Sequence, residues 1–528
     1  MKILRIELLL TIACLTLVSS TQAAAATSIA GMTPKGHKGA ELQPISKPFV
    51  AGQCSYTDGV SIADTCEVSY AVPAGVKRFG AMAGLIAEGK GNDEAGFAFS
   101  AAVDGKPVYN SGNTACVPWN RPSRVWIPVK QGQTLTLSVK SSGNTAGWKA
   151  VWAEPRFIPV GAQDWTVPPP APEGCLAPTP PMAWNSWYVY KFGVSEKKIK
   201  RPADLLVSKG FKDAGYIYCN LDDGWTRGRG GMTLDAKKFP NGLKSVGDYI
   251  HSKGLKFGMY GRWDRMIRGK NENNEARYAK LIADAGADFL KYDFVSKAPK
   301  KLTLQMVKAV RETKRPIVFL ACTWGLDRPW EWGAEENVQL WRSGYDILNV
   351  WSLNRNNHIG ILDSMDRNEP LAKYQRPGHW NDPDMLVAGG KIGVQELRSQ
   401  FGMWCIMASP LVIGLDLGKE QNERFFPTLL NKEAIAVNQD TLGIQGWRVQ
   451  KMDQTEVWMK PLANGDLAVA MLNRGDEPAE IKALWSHLCL DGERKARDLW
   501  KGKDLGTFKD AYSQTVPPHG VALLRLSK

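Results

Sequence analysis

Several residues and motifs that mark common enzyme classes are scarce or absent in this chain. It has six histidines in 528 residues, and none belongs to an H-E-x-x-H metalloprotease pattern. No C-x-x-C pair or His/Cys cluster has the spacing of a zinc site, no Walker loop occurs, and no G-x-S-x-G elbow marks a serine hydrolase. The glycine-rich stretch from Thr226 to Gly231 does not fit a dinucleotide fingerprint. We therefore expect neither a metal nor another cofactor.

Long apolar runs are also missing beyond the first 26 residues, which argues against a membrane-spanning helix. Residues 1–26 predict a secretory signal peptide. Lys2 and Arg5 form a basic start, Ile6 to Val18 a mostly apolar stretch, and Ala23 to Ala26 a small-residue exit. We expect an exported protein after cleavage, and the sequence leaves open whether it stays in the periplasm or reaches the medium.

Positive charge is abundant but nowhere concentrated. The formal net charge is +14, yet the densest basic run, Glu196 to Arg201, has the pattern of a solvated helix face. Scattered Lys and Arg side chains do not form the basic stripe that is typical of nucleic-acid-binding proteins. We expect no nucleic-acid partner and no membrane partner.

The nine cysteines become eight if Cys14 leaves with the signal peptide. An exported compartment permits disulfides, so Cys54 and Cys66, which are close in sequence in a loop-rich region, are the expected pair. Three further cysteines lie in apolar runs and are predicted to be buried thiols, namely Cys219, Cys322 and Cys405.

The chain divides into three predicted domains and a linker. Residues 30–158 contain alternating apolar and polar runs separated by Asp-Gly, Gln-Gly and Ser-Gly turns, which predicts a β-sandwich. Residues 159–178 are rich in proline and predict a semi-rigid linker. The helical pattern stops after Gly446, and residues 447–528 predict a small antiparallel β-sandwich.

Between the two sandwiches, residues 179–446 alternate strand-like and helix-like segments eight times. This alternation predicts parallel βαβ units, and eight repeats in this length fit a (β/α)8 TIM barrel. A doubly wound open sheet is the alternative, but the charged strand ends do not cluster at one switch point. The predicted strands are Met182–Trp187, Tyr216–Asp222, Lys256–Tyr260, Asp288–Asp293, Ile317–Thr323, Gln339–Arg342, His379–Asp384 and Leu411–Leu417.

Four acidic segments end strand-like runs in this region. They are Leu221-Asp222-Asp223-Gly224-Trp225, Lys291-Tyr292-Asp293, Trp341-Arg342-Ser343-Gly344-Tyr345-Asp346 and Trp380-Asn381-Asp382-Pro383-Asp384-Met385. Carboxylates at the ends of successive strands converge on one face of a β/α barrel, which is where such barrels carry out chemistry. The neighbouring Trp and Tyr side chains offer flat apolar faces suited to sugar rings. The pattern predicts a glycoside hydrolase.

Glycosidic cleavage needs two carboxyl groups beside the anomeric carbon, and Asp293 and Asp346 are the predicted pair. Lys291 shares the strand face of Asp293 and would keep it ionised as a nucleophile. Desolvation among aromatic residues and a neighbouring anion would hold a proton on Asp346 for acid catalysis. Arg342 would bind a ring hydroxyl or hold a carboxylate. A carboxyl separation of roughly 5–5.5 Å predicts retention of configuration, and a wider gap predicts inversion.

Two further acidic pairs have different predicted roles. Asp222 and Asp223 are adjacent anions that repel unless something binds them, and sugar hydroxyls are suitable donors for both. Asp382 and Asp384 flank Pro383 in a turn-forming sequence, and their side chains are predicted mainly to pin that turn.

These segments, taken in order, resemble glycoside hydrolase family 27, the retaining α-galactosidases and α-N-acetylgalactosaminidases. The likeness extends from about Ala177 to the C-terminus and is carried by Thr179 to Trp187, Asp222 to Trp225, Lys291 to Asp293, Trp341 to Asp346, Trp380 to Met385 and Asn438 to Asp440. The resemblance implies Asp293 as nucleophile and Asp346 as acid/base. It also implies that Asp222 and Asp223 bind the 4- and 6-hydroxyls of a sugar with an axial O4. By the same resemblance Trp184 and Tyr260 would contact the sugar. The full set of residues predicted to bind substrate is Trp184, Asp222, Asp223, Tyr260, Lys291, Thr323, Trp324 and Arg342.

One segment departs from the family pattern. The family's α-galactosidases commonly carry Cys-Glu-Trp after the fifth strand, where the Glu helps to read the 2-substituent, whereas this chain has Cys322-Thr323-Trp324-Gly325-Leu326. The N-acetylgalactosaminidases place a small Ser and Ala there, and this chain keeps the bulkier Leu326. We predict α-D-galactose as the glycone, with N-acetylgalactosamine, β-L-arabinopyranose and an isomaltose-type glucan as alternatives. A barrel that binds galactans without cleaving them is an alternative of another class, and the presence of both carboxylates and Lys291 argues against it.

The N-terminal region is similar to the NPCBM type of carbohydrate-binding module. The likeness is carried by Phe79 to Leu85, Gly96 to Phe99, Asp104 to Tyr109 and Trp148 to Trp152. It implies either sugar binding or simple packing of this domain against the barrel. The expected partner of the whole protein is an α-galactoside oligosaccharide or polysaccharide, and the sequence does not define an oligomeric state.

Overall fold

A computed structural model gives the structure of residues 26–89, 91–117, 120–227, 232–266, 274–293, 298–355 and 358–528. The predicted signal peptide lies outside these described residues, apart from Ala26. Among the helices described, none combines the length and apolar character needed to cross a membrane.

The N-terminal domain is a sandwich of two antiparallel sheets, as predicted. One sheet contains, in spatial order, Ser123–Pro128, Val76–Ala87, Trp148–Pro159, Gly59–Ile62 and Leu42–Ile45, with Thr27–Ser28 beside Trp148–Pro159. The other contains Lys106–Cys116, Asn92–Val103, Thr134–Ser142, Cys66–Ala71 and Gly36–Gly39. Leu135, Leu137 and Val139 alternate inward along one strand, as the period of two requires. They join Phe97 and Trp152 in the core between the sheets.

A hairpin of this domain, Phe49–Ala51 and Cys54–Tyr56, leaves the sandwich and packs on the central domain. Cys54 belongs to the hydrophobic cluster of that central domain, whereas Cys66 belongs to the sandwich core. Both are free thiols, so the predicted Cys54–Cys66 disulfide is wrong. The two cysteines are close in sequence, but the hairpin places Cys54 in a different core from Cys66. The three cysteines predicted to be buried thiols are confirmed as such, namely Cys219, Cys322 and Cys405.

The central domain is the predicted parallel barrel. Its strands are β1 (Met182–Asn185), β2 (Tyr218–Leu221), β3 (Lys256–Arg262), β4 (Phe289–Asp293), β5 (Val318–Cys322), β6 (Leu340–Arg342), β7 (Trp380–Asp382) and β8 (Leu411–Ile413). The hydrogen-bonded order runs from β7 down to β1 and then to β8. A parallel bridge between Leu386, just after β7, and Ile413 of β8 joins the two ends. The strands are almost wholly buried because helices cover their outer faces.

Helices surround the barrel where the sequence has a 3.6-residue period. In Glu196–Ser208, for example, Ile199, Ala203 and Leu206 are buried on one face, and the Ser195 hydroxyl caps the N-terminus by accepting from the backbone N–H of Lys198 at 3.4 Å. The longer helices of the barrel domain are Glu196–Ser208, Gly242–Ser252, Asn274–Asp284, Pro299–Glu312, Ile361–Asn368, Val394–Ile406 and Lys432–Asn438. Single-turn helices are Trp187–Tyr190, Trp263–Met266, Pro329–Trp332 and Phe426–Leu429.

The C-terminal domain is the predicted small antiparallel sandwich. Its main sheet has the order Trp447–Met452, Thr455–Pro461, Leu467–Asn473, Val521–Ser527, Glu493–Asp498 and Lys503–Lys509. A second ribbon pairs Ala479–Leu484 with Ala511–Val516. Val457, Val469 and Leu524 contribute to the core between them.

Candidate active site

Parallel pairing brings the acidic segments to one end of the barrel. Lys291 and Asp293 both lie on β4 and point to the same face because they are two residues apart. In the sheet register, Asp293 is opposite Arg262 of β3 and Cys322 of β5. Asp293 is 5% exposed, so it lies in a largely dry environment where nearby charges act strongly.

The first charged cluster surrounds Asp222, which follows β2 directly. Its Oδ2 accepts hydrogen bonds from Asn185 Nδ2 at 2.9 Å and from Lys291 Nζ at 3.1 Å. Its Oδ1 accepts from the backbone N–H of Asp223 at 2.8 Å, and the Ser186 hydroxyl accepts from the backbone N–H of Asp222. These contacts fix the orientation of Asp222 and connect β1, β2 and β4.

Lys291 is the cation of this cluster. Burial acts to lower the pKa of Lys291, but the carboxylates of Asp222 and Asp293 outweigh it and raise that pKa well above its usual range. Its Nζ also lies 5.3 Å from the centre of the Tyr260 ring. Lys291 is therefore a permanent positive charge near Asp293, as predicted, although its hydrogen bond goes to Asp222.

Asp223 lies beside the first cluster in the turn that follows β2. Its Oδ1 accepts from the backbone N–H of Gly224, whose φ of +109° suits glycine. Arg262 approaches Asp223 Oδ2 at 3.7 Å and makes two 2.8 Å hydrogen bonds to Asp264. Both members of the Asp222–Asp223 pair are buried, so water screens their negative charges poorly.

Arg342, at the end of β6, is the centre of a second cluster. It is 1% exposed, and its Nη2 lies 2.7 Å from Asp384 Oδ2 and 3.2 Å from Asp346 Oδ1. The same Nη2 donates to the Tyr345 carbonyl at 2.7 Å. Burial acts to lower the pKa of Arg342, but Asp384 and other neighbouring groups raise it well above its usual range. Of the two roles predicted for Arg342, holding a carboxylate is the one present here.

The setting of Asp346 differs from the prediction. Its side chain is 48% exposed and lies against Arg342, so the desolvated aromatic environment expected for it is absent. The β6 segment turns outward after Arg342 and leaves the carboxyl at the mouth. An accessible carboxyl held by a buried guanidinium is well placed to meet the oxygen of a glycosidic bond.

Asp382 and Asp384 pin the turn after β7, as predicted. The backbone N–H of Asp384 donates to Asp382 Oδ1 at 2.9 Å, and Asp384 has a φ of +81°. Burial raises the pKa of Asp382 to about 6, although Arg342 opposes this. Asp384 has a further role that the turn sequence did not indicate, because it binds Arg342 and accepts from the backbone N–H of Ile347 at 2.9 Å.

Two residues assigned to substrate binding are fully buried. Trp184 is fully buried and its Nε1 donates to the Leu415 carbonyl at 2.8 Å, so it has no exposed face for a sugar in this structure. Thr323 is also fully buried, and its hydroxyl donates to the Leu326 carbonyl at 3.2 Å. Trp324, the next residue, is half-buried with a φ of +55°. Trp187, just after β1, is a half-buried aromatic residue that was not among the predicted substrate-binding residues.

A cavity inside this end of the barrel brings together four of the predicted binding residues, Asp222, Tyr260, Lys291 and Arg342. Asp382 and Asp384 line it too, as does Asn185, which the sequence analysis missed. Asn185 could have been identified from the sequence, because it is a polar residue at the end of the first predicted strand-like run of the barrel. Within the described part of the chain, no group of three or more His, Cys, Asp or Glu side chains is arranged to hold a metal ion.

A β/α barrel with buried carboxylates, a buried lysine and a buried arginine at its mouth has the charged groups that a glycoside hydrolase needs. Comparison with known protein families supports a glycoside hydrolase. Residues 179–440 match the family described as alpha galactosidase A, residues 452–526 the alpha galactosidase C-terminal beta sandwich domain, and residues 19–158 the NPCBM/NEW2 domain.

Individual relatives support the same assignment. The chain is 38% identical to alpha-galactosidase A of Cellvibrio japonicus over 377 residues, which cover 67% of this chain and 93% of that protein. Among solved structures, alpha-galactosidase I from Mortierella vinacea is 31% identical, with a TM-score of 0.62 over 68% of this chain and 99% of that one. A β-L-arabinopyranosidase from Geobacillus stearothermophilus is 26% identical, with a TM-score of 0.59 over 67% of this chain and 97% of that one. The chain belongs to the alpha-galactosidase family of glycoside hydrolases, family 27, which confirms the resemblance.

Proposed function

We propose that this protein is an exported, retaining α-galactosidase that releases terminal α-D-galactose by double displacement. The observation that carries the proposal is the arrangement of charges around β4 and β6. Lys291 contacts Asp222 and interacts electrostatically with Asp293 in a buried site, and Arg342 contacts the accessible Asp346. Relatives named alpha-galactosidases support the glycone.

In the first step, an Asp293 carboxylate oxygen attacks the anomeric carbon while Asp346 gives its proton to the leaving glycosidic oxygen. The products are a galactosyl-aspartate and the free aglycone. In the second step, Asp346 takes a proton from water, whose oxygen attacks the same carbon and releases Asp293. Two inversions give net retention.

The surrounding residues assist these steps through charge and hydrogen bonding. The permanent charge on Lys291 stabilises Asp293 as an anion, because an opposite charge in a buried site favours the ionised form. Asp222 and Asp223 accept hydrogen bonds from sugar hydroxyls on the side of the mouth where β2 ends. Arg342 keeps the Asp346 carboxyl within reach of the leaving oxygen.

The test of mechanism uses nitrophenyl α-galactoside and NMR of the first sugar released. We expect α-galactose as the first product. Asp293→Asn and Asp346→Asn should each lower kcat by about 10³-fold or more while the fold survives. Asp416→Asn, which changes a carboxylate just beyond β8 that pairs with Arg201, is the matched control and should retain activity. Release of β-galactose, or near-normal turnover in either catalytic variant, contradicts the proposal.

The glycone is tested by comparing nitrophenyl α-galactoside with the α-N-acetylgalactosaminide and the β-L-arabinopyranoside. The arabinopyranosidase neighbour is the specific reason to include the third substrate. We expect the galactoside to be preferred. A preference for either other sugar would replace galactose with that glycone and leave the catalytic pair in place.

Export is tested by N-terminal sequencing of the protein recovered from periplasm and medium of the producing cells. We expect cleavage within the small-residue exit, between about Ala23 and Ala26. A full-length protein that remains in the cytoplasm contradicts this part of the proposal.

A further inference from the structure

The proposed mechanism assigns no role to the short helix Trp187–Tyr190, which follows β1 at the barrel mouth. Ser186, the residue before this helix, accepts a hydrogen bond from the backbone N–H of Asp222 at 2.9 Å. The backbone N–H of Trp187 donates to Asn185 Oδ1 at 2.8 Å. The helix therefore starts beside the first charged cluster.

Tyr188 connects this helix to the segment that carries Asp346. Its hydroxyl donates to the carbonyl oxygen of Ile347, the residue that follows Asp346. Its ring packs at the end of β8, because a Cβ atom on Gly414 would lie 2.8 Å from ring carbon Cδ2. Tyr188 is thus held both at its ring and at its hydroxyl.

The backbone of Ile347 is fixed at both of its polar groups. Its N–H donates to Asp384 Oδ2 at 2.9 Å, and its carbonyl accepts from Tyr188. The same Asp384 oxygen lies 2.7 Å from Arg342 Nη2. The helix after β1 and the turn after β7 therefore hold the backbone directly after Asp346.

The carboxyl group of Asp346 depends on this support because its side chain is 48% exposed. Arg342 Nη2 lies 3.2 Å from its Oδ1, and the same nitrogen contacts Asp384 and the Tyr345 carbonyl. A donor that is shared among three acceptors constrains each of them weakly. The position of the backbone therefore decides how closely Asp346 can approach the leaving oxygen.

The hydroxyl of Tyr188 remains a hydrogen-bond donor at neutral pH. Burial, together with the negative charges of Asp384 and Asp346, raises the pKa of Tyr188 well above its usual range. The positive charges of Arg342 and Lys291 oppose this shift. The phenol stays protonated, so the hydrogen bond to the Ile347 carbonyl persists while the enzyme works.

We propose that Tyr188 is a positioning residue for Asp346 and that it acts through the carbonyl group of Ile347. This inference rests on the proposed function, since it concerns the step in which Asp346 gives its proton to the leaving oxygen. Misplacement of a catalytic group by about 1 Å can lower a rate by about 100-fold. Loss of one of the two hydrogen bonds at Ile347 should move the carboxyl group less than that and lower the rate less.

Two substrates with different leaving groups test this role. In α-1,6-galactosyl-glucose the leaving group is a sugar oxygen, which needs a proton from Asp346. In α-galactosyl fluoride it is fluoride, which departs as an anion with little need for acid catalysis. Both substrates form the same galactosyl-aspartate. The value of kcat/KM reports the steps up to that intermediate, so comparing it between the two substrates isolates proton donation.

Tyr188→Phe removes only the hydroxyl and keeps the ring that packs at the end of β8. We expect kcat/KM to fall by about tenfold on the disaccharide and to change by less than about twofold on the fluoride. Tyr190→Phe is the matched control, because this tyrosine belongs to the same helix and its ring lies beside Lys198, whose Nζ is 5.5 Å from the ring centre. This control should leave both values unchanged.

A double variant checks that Tyr188 acts through Asp346. Adding Tyr188→Phe to Asp346→Asn should cause no further loss on the disaccharide, because the group that Tyr188 positions is already inactive. Equal losses on the two substrates, or full additivity with Asp346→Asn, overturn the role of Tyr188 and leave the proposed function intact. If the wild type does not hydrolyse α-galactosyl fluoride, the proposed function fails, and this inference fails with it.

Discussion

At the scale of single residues, Lys291 is the cation of the first charged cluster at the barrel mouth. Its ammonium group neutralises Asp222 directly and acts on Asp293 through space. Its side chain is only 13% exposed, so water screens these interactions poorly. Replacing it leaves two buried carboxylates without their shared counter-ion.

We therefore expect Lys291→Met to lower kcat on nitrophenyl α-galactoside by about 100-fold or more, because the nucleophile loses the charge that keeps it ionised. The unfolding free energy should also fall, by about 3 kcal/mol, since the partner carboxylate is left unpaired. Steady-state kinetics and urea denaturation measure the two effects. Lys256→Met, at the exposed start of β3, is the control, and equal losses in both variants would show that Lys291 has no special role.

The residues of the mouth were predictable to different degrees. Asp293, Lys291 and Asp222 were identified because each belongs to a short segment at a strand end. The Arg342–Asp384 pair was not identified, because its members lie on different strands and only the barrel brings them within 2.7 Å. The exposure of Asp346 was also missed, since aromatic neighbours in sequence do not reveal in which direction a loop turns.

At the scale of secondary-structure elements, helix packing leaves little room at certain positions. Gly247 lies within the helix Gly242–Ser252, and a Cβ atom there would be 2.2 Å from the carbonyl oxygen of Ala285. Glycine is therefore required at position 247 because the helix closely approaches a neighbouring backbone. This steric requirement outweighs the low intrinsic helix propensity of glycine.

Gly247→Ala should destabilise the protein by about 2 kcal/mol, although alanine favours an exposed helix by up to about 1 kcal/mol. The backbone of the helix or of Ala285 must move to admit the methyl group. Urea denaturation measures the change. Gly36→Ala, where a Cβ meets nothing within 4 Å, is the control, and a stabilised Gly247→Ala would refute the packing argument.

The sequence pattern predicted the barrel strands well, because these strands are buried along almost their whole length. All eight barrel strands lie within the predicted segments or extend them slightly, as β3 does by ending at Arg262. The hairpin that contains Cys54 escaped prediction because its apolar residues face a core belonging to another domain. A pattern in one segment cannot show which distant surface it will cover.

At the scale of the whole molecule, the domain junctions contain titrating groups. His487 of the C-terminal domain is 6% exposed, neither ring nitrogen has a hydrogen-bond partner among the described residues, and Arg78 of the N-terminal domain donates to the adjacent Ser486 carbonyl at 2.9 Å. Burial, with a smaller effect of Arg78, lowers the pKa of His487 from 6.5 to about 4.

This shift makes stability depend on pH. Because the folded protein takes up the proton less readily than the unfolded chain, the stabilisation is fully present above pH 6.5 and is lost as the pH falls towards 4. The loss amounts to about 3 kcal/mol. We expect the Tm of the wild type to fall more steeply between pH 7.5 and 4.5 than that of His487→Gln. His37→Gln, at an exposed site, is the control. Parallel pH profiles for wild type and His487→Gln would contradict the assignment.

The N-terminal domain also supports the catalytic loop, because Arg121 binds the Ser343 carbonyl between Arg342 and Asp346. Arg121→Ala should therefore lower kcat by about tenfold for oligosaccharides, whose leaving groups need proton donation, and less for nitrophenyl galactoside. Arg121→Lys should recover part of the loss. Equal effects on both substrate types would show that Arg121 acts on general stability and does not position Asp346.

The hairpin that carries Cys54 into the barrel core has a consequence for how this architecture can change over time. Ala51, Cys54 and Tyr56 fill the same cluster as the barrel helices, and the linker is docked as well, since Trp380 Nε1 donates to the Ala177 carbonyl at 2.9 Å. In this chain the proline-rich boundary is therefore a packed interface. A version of this barrel without the N-terminal domain would expose the apolar patch that Ala51, Cys54 and Tyr56 now cover, so loss of the domain would have to be accompanied by polar substitutions on that surface.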